Sequence, residues 1–112
     1  MSMVIIMDEQ WFSLRLAMLR TKKKVSAREM SLALGQNDSY INRIENGRAL
    51  PSMQCFFYIC EYLGVTPAEF FDEQNPDPLK RRRITEALRL LDAKQLDLIM
   101  ALIEGLLDVQ KQ

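Results

Sequence analysis

The stretch Val25-Ser-Ala-Arg-Glu-Met-Ser-Leu-Ala-Leu-Gly35, continued by Gln36-Asn-Asp-Ser-Tyr-Ile-Asn-Arg-Ile-Glu-Asn-Gly47, reads as two short amphipathic helices hinged at a glycine. Ser26 and Glu29 have the spacing of a capping box, in which each side chain satisfies the other's backbone N–H. Met30, Ala33 and Leu34 supply an inward stripe, and Gly35 suits the left-handed conformation that ends a helix. Asn37 is then placed to cap the next helix, with Ile41 and Ile44 toward a core and Asn46-Gly47 as its end. Helices this short are marginal alone, so tertiary packing must supply most of their stability.

Working outward, Trp11 to Thr21 has apolar residues at helical spacing, with Phe12, Leu16 and Leu19 as the core face. The lysines at 22–24 suit its C-terminal end, where positive charge meets the negative pole of the helix dipole. Pro51-Ser52 opens a fourth helix, Met53 to Leu63, which buries Phe56, Ile59, Cys60 and Leu63 and stops at Gly64. Thr66-Pro67-Ala68-Glu69 starts a short fifth helix, with Phe70 and Phe71 expected to close the core. The prolines and acids of Asp72 to Pro78 read as a linker or turn.

Two further helices are expected beyond it. Lys80 to Leu91 aligns Ile84, Leu88 and Leu91, and an Asp92/Gln95 capping box opens Ala93 to Val109. On that last helix Leu96, Ile99, Met100, Ile103, Leu106 and Leu107 form a broad apolar face, widened by Leu98 and Leu102. A helix apolar over so much of its circumference needs several neighbours, so these six residues are assigned to a homodimer interface in preference to intramolecular packing alone. The organisation is therefore a 1–10 arm, a compact 11–72 domain, a 73–79 linker or turn, and an 80–109 helical appendage for dimerisation. Met3 to Met7 is a short apolar segment that suits a brief strand or an extended arm.

Composition narrows the chemistry. The 112-residue chain contains no histidine, which removes imidazole acid–base chemistry and imidazole-bound metal. Cys55 and Cys60 lie five apart in an apolar run, which fits neither a zinc pair nor a disulfide framework and points to reduced cytosolic thiols. No span reaches bilayer length, and Asp8 and Glu9 follow the apolar N-terminus with no basic region before it, unlike a signal peptide. Without a phosphate loop or an activated-nucleophile constellation, an enzyme is not expected, nor is a cofactor. The expected location is the cytoplasm.

The formal net charge is zero, but its distribution is uneven. Residues 1–64 carry eight basic and six acidic side chains, and residues 65–112 carry seven and nine. Arg20, Lys22, Lys23, Lys24 and Arg28 form a local basic cluster, which permits a nucleic-acid partner without demanding one. Paired helices at a glycine hinge are how a small protein sets one helix in the major groove of DNA. With Ile41 and Ile44 turned inward, Asp38, Ser39, Asn42 and Arg43 remain as candidates to reach base edges. Arg43 can donate twice to guanine, and Asp38 can accept from cytosine N4 or simply favour the helix N-terminus. Lys80, Arg81, Arg82 and Arg83 read more readily as a solvated helix start, or as partners for acids across a dimer, than as DNA contacts.

Residues from about Phe12 to Phe71 resemble the helix-turn-helix domain of the Cro/C1 (XRE-like) regulators. The resemblance rests on Ile41-Asn-Arg-Ile-Glu-Asn-Gly47, Pro51 and Leu63-Gly-Val-Thr-Pro-Ala-Glu-Phe70, with the Ser26 box and Gly35 at matching spacing. It implies an all-α, lambda-repressor-like five-helix domain, here followed by two C-terminal helices. It also implies base contacts at Asp38, Ser39 and Arg43, and phosphate contacts at Ser26, Asn46 and Arg48. Arg20 and Glu45 match a partly buried supporting pair, while Gly35 and Gly47 match the turns. Two departures stand out: Ala27 where a glutamine is usual, and Asp38 where a longer polar or basic residue is common.

The function implied is a sequence-specific, double-stranded-DNA-binding transcriptional regulator, a homodimeric repressor using the helix around 38–45, with activation through contact with polymerase equally open. Lys22, Lys23, Lys24, Arg28 and Arg48 would add salt-sensitive phosphate attraction. The balanced charge, Ala27 and the apolar last helix also suit an antitoxin or protein-interaction adaptor in which DNA binding is secondary or lost.

Overall fold

A computed structural model describes residues 7–111, which form seven helices; no strand occurs among the described residues. Most of the expected Met3 to Met7 segment, residues 3–6, lies outside the described residues. The helices are α1 (Glu9–Lys23), α2 (Ala27–Ala33), α3 (Tyr40–Glu45), α4 (Met53–Leu63), α5 (Pro67–Phe70), α6 (Pro78–Leu88) and α7 (Ala93–Lys111). The chain divides into two compact units, residues 1–79 and 80–112.

In the first unit α1 begins earlier than its apolar pattern suggests. Asp8 caps it by accepting from Trp11 N, so Glu9 and Gln10 belong to the helix and not to an arm. Around α1 the buried residues Phe12, Leu16 and Leu19 meet Met30, Ile41, Ile44, Phe56, Ile59, Cys60, Leu63, Val65 and Phe70 in one core. Phe12 and Phe56 flank Phe70, at centroid separations of 4.9 and 5.1 Å. Phe71 does not close the core as expected. It stays 40% exposed and stacks on Trp11 at 5.7 Å, because a four-residue helix can turn only one of two adjacent phenylalanines inward.

The 72–77 segment is a structured turn tied to α1, and Pro78 already belongs to α6. Arg15 falls on the core face between Phe12 and Leu19, and its guanidinium donates to the carbonyls of Glu69, Phe70, Asp72 and Asn75 at 2.7–3.1 Å. A buried cation is tolerable here because carbonyl oxygens around α5's C-terminal end replace its water. Desolvation lowers the Arg15 pKa, with Asp72 and Glu73 opposing the shift.

In the second unit both halves of the Asp92/Gln95 capping box form, at 2.8 and 3.0 Å. α6 starts at Pro78, two residues before the predicted start, and ends at Leu88 in place of Leu91. No residue of α7 is buried: Leu96, Met100, Ile103, Leu106 and Leu107 are all exposed, and Ile99 is half-buried.

Candidate nucleic-acid interface

The α2–turn–α3 element is fixed by side chains that work across it. Ser26 Oγ accepts from Glu29 N at 2.9 Å and so caps α2. At the other end Gly35 adopts φ +75°, while Gly35 N and Gln36 N donate to the carbonyls of Leu32 and Ser31. Ala33 is exposed, contrary to its expected place in the inward stripe. Ser31 takes that place and is fully buried.

α3 starts later than Asp38. Asp38 and Ser39 lie in a turn organised by Asn37, whose Oδ1 accepts from Ser39 N at 3.1 Å and Ser39 Oγ at 2.9 Å. Asn37 therefore shapes the approach to α3, while Ser39 holds the cap position without a side-chain cap bond. The missing cap is supplied from α2: Ser31 Oγ accepts from Ile41 N at 2.9 Å and donates to Ala27 O at 2.7 Å. One hydroxyl thus sets the relation between the two helices.

Three hydrogen bonds anchor the far end of α3 to α1. Ser13 Oγ donates to Ile44 O at 2.6 Å. Arg20 pairs with Glu45 through Nε–Oε2 at 2.7 Å and Nη2–Oε1 at 2.9 Å, and its Nη1 reaches Val25 O at 2.8 Å. The bond to Glu45 raises the Arg20 pKa against the opposing effect of burial. Beside α3's first turn, burial is the main cause that pushes the Tyr40 phenol up to about 12, helped by its bond to Cys55. Hydrogen bonds from Ser52 and Tyr40 hold the Cys55 thiol below its ordinary value.

This scaffold leaves Asp38, Ser39, Asn42 and Arg43 exposed, with Ile41 and Ile44 completely buried behind them. Asp38 is not free-standing: its Oδ2 accepts from Arg28 Nη1 at 3.0 Å, an ion pair between the start of α2 and the approach to α3. The basic cluster is dispersed. Lys22 reaches Asp77 at 3.7 Å, Lys23 lies over the Tyr62 ring at 5.1 Å, and Lys24 closes α1 in a left-handed conformation. Asn46 and Arg48 follow α3 and are exposed. The backbone N–H groups of Asn46 and Gly47 are engaged within the turn itself. They donate to the carbonyls of Asn42 and Ile44, and Arg48 N donates to Arg43 O, because Gly47 at φ +74° folds the chain back over the helix end.

Ser13, Arg15 and Ser31 are supporting residues that sequence reasoning misses. Arg15 is detectable as a charge on an apolar face, and Ser31 as a small hydroxyl beside the inward Met30.

A helix-turn-helix domain family matches residues 11–70, more than half the chain. The chain belongs to this family and is of the Cro/C1 (XRE-like) type. Among solved structures, it is similar to the restriction-modification controller protein C.AhdI from Aeromonas hydrophila. Identity is 30% and the TM-score 0.54, over 57% of this chain and 93% of that one. It is also similar to the clp gene regulator ClgR from Corynebacterium glutamicum, at 25% identity and TM-score 0.52, over 87% and 92% of the two chains. No curated protein sequence gives a significant match. No helix among the described residues is long and apolar enough to cross a membrane.

Proposed function

We propose that this protein is a sequence-specific regulator of transcription that binds double-stranded DNA as a homodimer and represses by occupying promoter DNA. Similarity to C.AhdI and ClgR, a controller and a gene regulator by name, supports the regulatory role. The observation that carries the DNA reading is α3 itself. Buried Ile41 and Ile44, the Ser31 bond and the Arg20–Glu45 pair fix its back, while Ser39, Asn42 and Arg43 face solvent. In this reading Arg43 reads a guanine edge, Ser39 and Asn42 contact bases or backbone, and Ser26, Arg28, Asn46 and Arg48 face phosphates. The protein would act in the cytoplasm.

Two copies would set two α3 helices in successive major grooves about 34–36 Å apart, on a roughly two-fold symmetric operator. The apolar surface of α7 supports the dimer. Its leucines, isoleucines and methionine are largely exposed, and Leu96, Ile99, Met100, Ile103, Leu106 and Leu107 share one side, a contiguous apolar face of the kind that marks an interaction surface. Asp97, Glu104 and Asp108 form an acidic strip on α7, which would meet the arginines of α6 from the second copy.

Selection of bound duplexes from fragmented host DNA, followed by a salt-dependent titration, tests the function. A symmetric enriched sequence bound well above random duplex is expected; no preference at low salt would sink this reading. Light scattering tests the dimer, which should dissociate in an Ile103→Asp/Leu107→Asp variant. The same α7 surface also fits an adaptor or antitoxin whose main partner is another protein. That reading gains if the intact chain is monomeric and indifferent to DNA sequence.

A further inference from the structure

The Arg28–Asp38 pair joins a cation and an anion that would face the DNA backbone and base edges, respectively, in the reading above. Arg28 lies in the first turn of α2, and Asp38 lies just ahead of α3. Their side chains remain 70% and 56% exposed, yet they bond to each other at 3.0 Å. An exposed pair of this kind is weak and exchangeable, so a phosphate competes with Asp38 for Arg28 on nearly even terms. Neither residue packs in the core, and α2 and α3 are already locked by Ser31. The pair is therefore not needed to hold the fold.

We propose that Asp38 is a specificity-determining residue that works through Arg28, as a restraint on sequence-independent DNA binding. On arbitrary duplex, Asp38 both holds Arg28 away from phosphate and brings a negative charge toward the groove, two effects that lower affinity. At an operator that offers a cytosine amino group, Asp38 Oδ1 accepts from N4–H while Oδ2 stays beside Arg28, and the repulsion is offset. The consequence is discrimination by an unfavourable interaction at the wrong sequence, which complements attraction through Arg43 at the right one. This inference rests on the DNA-binding reading, and its test separates the two.

The test is a double-mutant cycle on the full chain, with Asp38→Ala, Arg28→Ala and both together. Each is titrated against a random duplex and against the selected operator at several salt concentrations. On random duplex Asp38→Ala should bind up to about fivefold tighter. Its log–log salt slope should steepen by about 0.9, as expected when one more phosphate is neutralised. With Arg28 already alanine, the same change should give a smaller increase in affinity and no steeper slope. On the operator Asp38→Ala should not bind tighter, so the ratio of specific to random affinity falls. Equal increases with and without Arg28 would show simple loss of a repulsive charge and overturn the role of the pair. Equal increases on operator and random duplex would overturn the specificity role. If every variant and the parent ignore duplex DNA, the DNA-binding reading itself fails and takes this inference with it.

Discussion

Arg20 grips Glu45 with two parallel hydrogen bonds of 2.7 and 2.9 Å, and so ties the end of α1 to the last residue of α3. The side chains are only 19% and 10% exposed, and Arg20 also donates to Val25 O just before α2. A single guanidinium therefore fixes α1, the approach to α2 and the end of α3 together. Such a fork cannot be reproduced by lysine, which offers a point charge without the planar geometry.

Arg20→Ala should leave the Glu45 carboxylate partly buried without its partner, at a cost of about 2–4 kcal/mol in unfolding free energy. Urea denaturation measures the loss. Because the pair lies behind α3, folded Arg20→Ala protein at low temperature should keep its base preferences while losing affinity. A changed preference with unchanged stability would assign Arg20 to recognition.

Ser31→Ala removes the hydroxyl that serves Ile41 N inside the α2–α3 corner. A buried N–H without an acceptor costs about 1–3 kcal/mol. Hydrogen exchange should show α3 opening more readily than α4, since the lost bond holds α3's first turn. Uniform loss of protection across both helices would mean that the corner is not a local weak point.

Arg43→Ala should lower operator affinity by roughly ten- to hundredfold and relax the preference at one base pair in each half-site. Binding to random duplex should change far less. Competition binding with operators varied at single positions reads both effects, and unchanged relative affinities would exclude Arg43 from base recognition.

Stability should fall in alkali. Burial pushes the Cys60 thiol from 9.0 up to about 11, and the Tyr40 phenol stands at about 12 against an ordinary 10.0. Both groups ionise first in the unfolded chain, which then binds fewer protons than the folded one. Their stabilising contribution is complete below about pH 9 and is lost as the pH rises toward 12. Thermal melts across this range should show the decline. Cys60→Ala should be less stable throughout, but its alkaline slope should be shallower.

Local chemistry legible in the sequence accounts for much of the fold. Capping pairs, left-handed glycines and apolar periodicity locate α4 residue by residue, the start of α5 at Pro67, and the other helices to within a few residues, because those signals act through neighbours in the chain. They are least reliable where two residues compete for one inward place. Phe70 displaces Phe71 from the core, and Ser31 takes the inward place expected of Ala33.

Residue order alone specifies a helical chain with a glycine-hinged helix pair, an inward face at Ile41 and Ile44, and an outward set led by Arg43. Packing of the helices sets which partners the exposed charged and polar groups meet when no DNA is bound. It paired Arg28 with Asp38, sent Lys22 to Asp77 and Lys23 to Tyr62, and closed the N–H groups of Asn46 and Gly47 within the turn. It also placed Arg15 beneath four carbonyls contributed 54 or more positions along the chain. Periodicity reports which side of a helix is buried, but the partner of a long, charged side chain depends on distances between elements, and only the packed chain sets those.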